Sequence, residues 1–84
     1  MVKLVYFAWV RERLNKSSEE IELPETVETV GDLLDHLAER GDAYADLMSH
    51  RNTIRVAIDQ EHADRSERIG NASEIALFPP MTGG

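Results

Sequence analysis

The sequence predicts an α+β domain in which a mixed sheet wraps over one main helix. Three observations carry this. Apolar strand segments stand near both ends of the 84-residue sequence, at 2–10 and 74–78. Between them one set of apolar residues recurs at helical period. Two strand pairs flank that helix, and the last strand needs an apolar neighbour, which the first supplies. A chain of this length buries roughly 60–65% of its unfolded surface, so one core forms and no large cofactor pocket fits inside it. The expected organisation is a domain over residues 1–78 and a flexible tail over 79–84.

Residues 2–10, Val-Lys-Leu-Val-Tyr-Phe-Ala-Trp-Val, are rich in β-branched and aromatic types, and both alternating sets are apolar apart from Lys3. They are expected to form one central strand. Leu4, Tyr6 and Ala8 would lie on one face and Val5, Phe7 and Trp9 on the other. A single helix layer covers only one of these faces, which leaves apolar surface for loops or a partner. Residues 11–18 are polar and turn-like. Glu20-Ile21-Glu22-Leu23 then alternates until Pro24, as an edge strand in a hairpin with the first.

Val30, Leu33, Leu34, Leu37 and Ala38 fall at i, i+3, i+4, i+7 and i+8, which predicts a helix over 30–40. Thr29 and Asp32 form its capping box. Asp42 is expected to cap a shorter helix with Tyr44, Leu47 and Met48 inward, ended by His50-Arg51-Asn52. Ile54, Val56 and Ile58 alternate as a third strand, and a short strand around His62-Ala63 follows the turn Asp59-Gln60-Glu61. Residues 65–71 read as loop. Glu74 to Phe78 is the last strand, stopped by Pro79-Pro80.

Composition excludes several chemistries. There is no cysteine, so thiol nucleophiles, zinc knuckles, iron–sulfur ligation and disulfides are absent. His36, His50 and His62 show no ligand spacing with one another or with carboxylates, and no metal site is expected. With 9 Lys+Arg against 16 Asp+Glu the net charge is −7, which argues against a nucleic-acid partner. A basic protein surface and simple solubility both account for that charge. Residues 1–10 are too short, and carry Lys3, to read as a signal peptide or membrane span; a cytoplasmic protein is expected.

The final residues, Pro79-Pro80-Met81-Thr82-Gly83-Gly84, hold the chemical interest. Prolines stiffen the exit into an extended path, and glycines lack the Cβ that would jam a narrow channel. At about 3.3 Å per residue this tail spans roughly 20 Å, enough to reach an active site inside another protein. Its only charge is the terminal carboxylate, inert until activated, for which an acyl-adenylate made from ATP is the general route. A Gly-Gly ending alone also fits a purposeless flexible terminus.

Phe78-Pro79-Pro80-Met81-Thr82-Gly83-Gly84 after an apolar strand resembles the ending of the MoaD-type small subunit of molybdopterin synthase, a ubiquitin-like sulfur carrier of β-grasp fold. The start, Val2 to Ala8 followed by Val10-Arg11-Glu12, resembles that family's first strand and turn. Residues 42–71 match least well, and Met81 stands where a smaller aliphatic residue is expected. The resemblance implies that an E1-like adenylyltransferase activates Gly84 with ATP and that a sulfur donor converts the adenylate to a thiocarboxylate. The tail would then deliver sulfur to a cyclic pyranopterin monophosphate in the large subunit, in a heterotetramer of two small and two large subunits. Gly84 would be the reacting residue and Gly83 would give clearance. Catalytic groups would belong to the large subunit, and no cofactor would be bound here.

Phe7 and Phe78, on adjacent strands, are candidate docking residues beside the tail exit, with Pro79, Pro80, Met81 and Thr82 following; both rings also fit an ordinary core. Arg11 could pair with an acidic partner group or stand solvated. A sister carrier serving thiamine-thiazole synthesis uses the same activation. A ubiquitin-like modifier would end in an isopeptide bond to a target lysine, and a plain interaction domain would have no chemistry at all.

Overall fold

The computed structural model describes residues 1–80. The elements are β1 (Val2–Tyr6), α1 (Ala8–Leu14), β2 (Ser18–Ile21), α2 (Val30–Ala38), α3 (Asp42–Met48), β3 (Arg55–Ile58), β4 (Glu61–Ala63) and β5 (Glu74–Phe78), with a 3-10 turn at Arg51–Thr53 before β3. The sheet order is β2-β1-β5-β3-β4. β1 and β5 run parallel at its centre, and the remaining neighbours are antiparallel. The last strand does lie beside the first, as the apolar character of both requires.

Alternation along the strands gives the sheet two unlike faces. Leu4, Tyr6, Val56, Ile75 and Leu77 point into the core. There they meet Val30, Leu33, Leu34 and Leu37 of α2, Val10 and Leu14 of α1, and Leu47 and Met48 of α3. The stripe read from the sequence is the buried side of α2. Thr29 caps it: its hydroxyl accepts from the Asp32 amide at 3.2 Å while the Asp32 carboxylate accepts from the amides of Thr29 and Glu28. Those backbone donors hold the Asp32 carboxyl below its ordinary range. The next orphan amides of the helix, Val30 and Gly31, donate to the carbonyls of Glu67 and Arg65, so the loop after β4 is laced to the start of α2.

A half-buried polar knot closes the helix side. The hydroxyls of Tyr6 and Tyr44 donate to Glu19 Oε2 at 2.6 and 2.7 Å, and Arg40 lies 3.1 Å and Lys16 3.4 Å from Oε1. It ties β1, β2, α3 and the end of α2 through one carboxylate. Desolvation pushes Glu19 up, but the two hydroxyls and then the charges of Arg40 and Lys16 outweigh it and hold the group below the usual carboxylate range. Burial, followed by the bond to Glu19, pushes the Tyr6 phenol well above its ordinary value.

Three expectations need correction. The first strand does not run to Val10: it stops at Tyr6, and residues 8–14 form α1 where a strand end and a polar turn were expected. Ala8 takes φ +53°, which turns the chain out of the sheet, and Val10 and Leu14 then reach the core at i, i+4 spacing. Trp9 therefore leaves the sheet face and lies under the Arg13 guanidinium, 5.4 Å from its ring centre. Ala8 likewise has no sheet face. The edge strand lies two residues earlier than expected, because Ile21 pairs with Val2, the first residue of β1, and the ladder stops there. Gly41, at φ +153°, holds the cap position of α3, and Asp42 is its first helical residue, where its charge suits the helix N-terminus.

Among the described residues no helix is long and apolar enough to cross a membrane.

Candidate functional site

Among the described residues no helix packs on the second face of the sheet. Register builds it in rows: Val5, Ala76, Ala57 and His62 sit side by side across β1, β5, β3 and β4. The next row towards the end of β5 holds Phe7, Phe78 and Arg55. Phe7 is the residue after β1; its amide donates to the Leu77 carbonyl at 3.1 Å, which fixes it beside Phe78. It is 48% exposed, whereas Tyr6 next to it is 1% exposed. The structure thus brings Phe7 and Phe78 together on an open face, where Phe78 is half-buried.

His62 and Phe78 meet edge to face, with ring centres 5.5 Å apart. They reach each other diagonally over β3, at the position of Ala57, which is 7% exposed although it faces outward. The smallness of Ala57 is what lets the two rings meet. Arg55 is the β3 residue directly opposite Phe78. Sequence reasoning missed both His62 and Arg55. The histidines were judged by metal-ligand spacing alone, and the pairing of Arg55 with Phe78 depends on strand register, which no local pattern displays.

Arg11 lies one turn into α1, exposed, its amide reaching back to the Phe7 carbonyl at 3.5 Å. Pro79 and Pro80 are half-buried and continue directly from β5. Met81, Thr82, Gly83 and Gly84 lie outside the described residues. Among the described residues no group of three or more histidines or carboxylates could hold a metal ion. The site is therefore an exposed face carrying Phe7 and Phe78 at the end of a central strand that leads directly into Pro79 and Pro80.

A family model, the ThiS family, matches residues 4–84. The chain is 34% identical to the molybdopterin synthase sulfur carrier subunit of Haemophilus influenzae over 84 residues, covering 100% of both proteins. It is 31% identical to the protein of the same name from Escherichia coli, again covering 100% of each. The solved small archaeal modifier protein 1 of Haloferax volcanii superposes with a TM-score of 0.73 at 27% identity, covering 95% of this chain and 97% of that one. A β-grasp sheet with the tail-bearing strand at its centre, matched along its whole length by such relatives, establishes that this chain belongs to the ThiS family.

Proposed function

We propose that this protein is the sulfur-carrying small subunit of a molybdopterin synthase, working in the cytoplasm. The Gly84 carboxylate attacks the α-phosphate of ATP on an E1-like adenylyltransferase and releases pyrophosphate. A sulfur donor then displaces AMP and leaves a thiocarboxylate. The tail enters the large subunit, whose own groups catalyse transfer of that sulfur to a cyclic pyranopterin monophosphate. Sulfur is thus carried without cysteine, of which the chain has none.

One observation carries this reading: β5, paired on both sides, ends at Phe78 beside an uncovered apolar face and runs directly into Pro79 and Pro80. A partner that seats on Phe7 and Phe78 receives the tail in the same act. Shape and charge give this chain a means of docking, while general acid, base and substrate-binding groups come from the partner.

The test is the intact mass of the chain after incubation with the adenylyltransferase, ATP and a sulfide source. Exchange of one oxygen for sulfur at Gly84 is expected. Deleting Gly84, or replacing Gly83 by Phe, should leave the melting temperature unchanged and abolish sulfur transfer; full transfer in either variant overturns the mechanism. The likeness to a small archaeal modifier protein favours one second reading, attachment of Gly84 to lysines of other proteins. That use would appear as higher-mass bands containing this chain in a lysate.

A further inference from the structure

Resting on the docking reading above, we propose that Arg55 is a specificity-determining residue of the docking face, engaging a carboxylate that the large subunit presents beside the site receiving Phe78. The chain is acidic, 16 carboxylate side chains against 9 Lys+Arg, and four of those nine cations are ion-paired among the described residues. Arg13, Lys16, Arg40 and Arg51 are ion-paired to Asp46, Glu19, Glu19 and Asp35. The Arg65 guanidinium donates to the Arg51 carbonyl. On the open face, Lys3 stands in register between Glu20 and Glu74, two carboxylates on its flanks.

Arg55 differs. Its β5 neighbour is the Phe78 ring, it is exposed, and among the described residues no carboxylate lies within ion-pair distance of it. On its other side the chain leaves β4 at Ala63, so Asp64 falls just past the ladder and makes no ion pair with it. A groove of about 310 Å³ opens there, lined by Arg55, His62 and Arg65 together with the chain's own Asp64 and Glu67, and leaves room at the edge of the sheet beside the guanidinium.

An arginine left unpaired on an otherwise acidic molecule, next to the ring that marks the tail exit, is placed to read a partner. A carboxylate facing it forms a forked pair at the margin of an apolar contact, where water is partly excluded and the pair strengthens. Such a contact fixes register more than it adds affinity: a partner sliding by one strand would set its carboxylate against Phe78 or Asp64. The apolar row supplies adhesion, and Arg55 supplies the orientation that aims the tail.

Calorimetric titration of the full chain against the large subunit tests this at low and moderate salt, with Arg55→Glu, Arg55→Gln and Phe78→Ala beside the wild type. Arg55→Glu should weaken binding tenfold or more and Arg55→Gln several-fold, with a flatter salt dependence and unchanged melting temperatures. Reversing the facing carboxylate of the large subunit to lysine should restore Arg55→Glu. Wild-type affinity in Arg55→Glu, with Phe78→Ala weakened, overturns the role of Arg55 and leaves the docking face standing. Wild-type affinity in Phe78→Ala as well overturns the docking reading itself. Weakened binding of Arg55→Glu to the adenylyltransferase alone would assign the carboxylate to that enzyme and overturn the proposal as stated.

Discussion

The two faces of one sheet are built from the same strands and do different work. On the core face Leu4, Ile75 and Leu77 are fully enclosed, each within contact of helices α1 to α3 or of one another. One residue along in each strand, Val5, Ala76 and Phe78 are only half-covered, and Phe7 is open. Apolar content separates the faces only in part, since the open face carries Val5, Phe7, Ala57, Ala76 and Phe78 beside Lys3, Arg55, His62 and Glu74. What separates them is the supply of partners within the chain: among the described residues three helices cross one face and none crosses the other. In a domain this small the hydrophobic effect acts on the core side, and Phe7 and Phe78 on the second face would gain from burial only against a partner, as the proposed docking requires.

The comparison is broken most forcefully by cutting matched residues on the two faces. Leu77→Ala should destabilise the domain by about 2–5 kcal/mol, a large share of the roughly 4–13 kcal/mol that a domain of this size commands. A denaturant titration measures it, and the residual folded fraction should bind partner normally. Phe78→Ala, one residue on, should weaken association with the large subunit tenfold or more while costing about 1–2 kcal/mol of stability. If Phe78→Ala loses as much stability as Leu77→Ala and keeps its affinity, the two faces are one core and the contrast dissolves.

Acid sharpens it from the core side. Because Glu19 titrates below its ordinary value in the folded state, the stability it contributes is present above about pH 4.5 and is lost as pH falls through the lower folded value. Glu19→Gln should flatten the acid limb of the stability profile, read by thermal melts between pH 3 and 6 on the order of a few points. The smallest effect belongs to the junction where the faces part. Ala8 holds φ +53°, a conformation that costs a residue with a Cβ about 1 kcal/mol. Ala8→Gly should therefore be neutral or slightly stabilising, and Ala8→Val clearly destabilising, by the same melts.

Much of this was legible in the sequence, and the failures share a cause. The α2 stripe and its Thr29–Asp32 box are local patterns, complete within ten residues, and they appear in the structure as read. The central pairing of the last strand with the first followed from their composition. The strand-to-helix switch at Ala8 was hidden because Ala-Trp-Val continues a β-like run; the contrary signal was the Val10 and Leu14 spacing followed by Asn15, which ends α1 in a left-handed conformation. The registers that set Ile21 against Val2 and Arg55 against Phe78 are relations between distant segments. Nothing within either segment encodes them, which is why the local pattern places the edge strand two residues late and gives no sign that Arg55 faces Phe78.

The central position of β5 also has a mechanical meaning. The tail emerges from a strand bonded along both edges, to β1 on one side and β3 on the other. Any pull along the chain beyond Phe78 loads those two ladders in shear, so several hydrogen bonds must yield together. A strand at the sheet's margin would instead peel one bond at a time. The anchor of the tail thereby resists such a load along two ladders at once, as the proposed passage of the tail from one partner to the next would require.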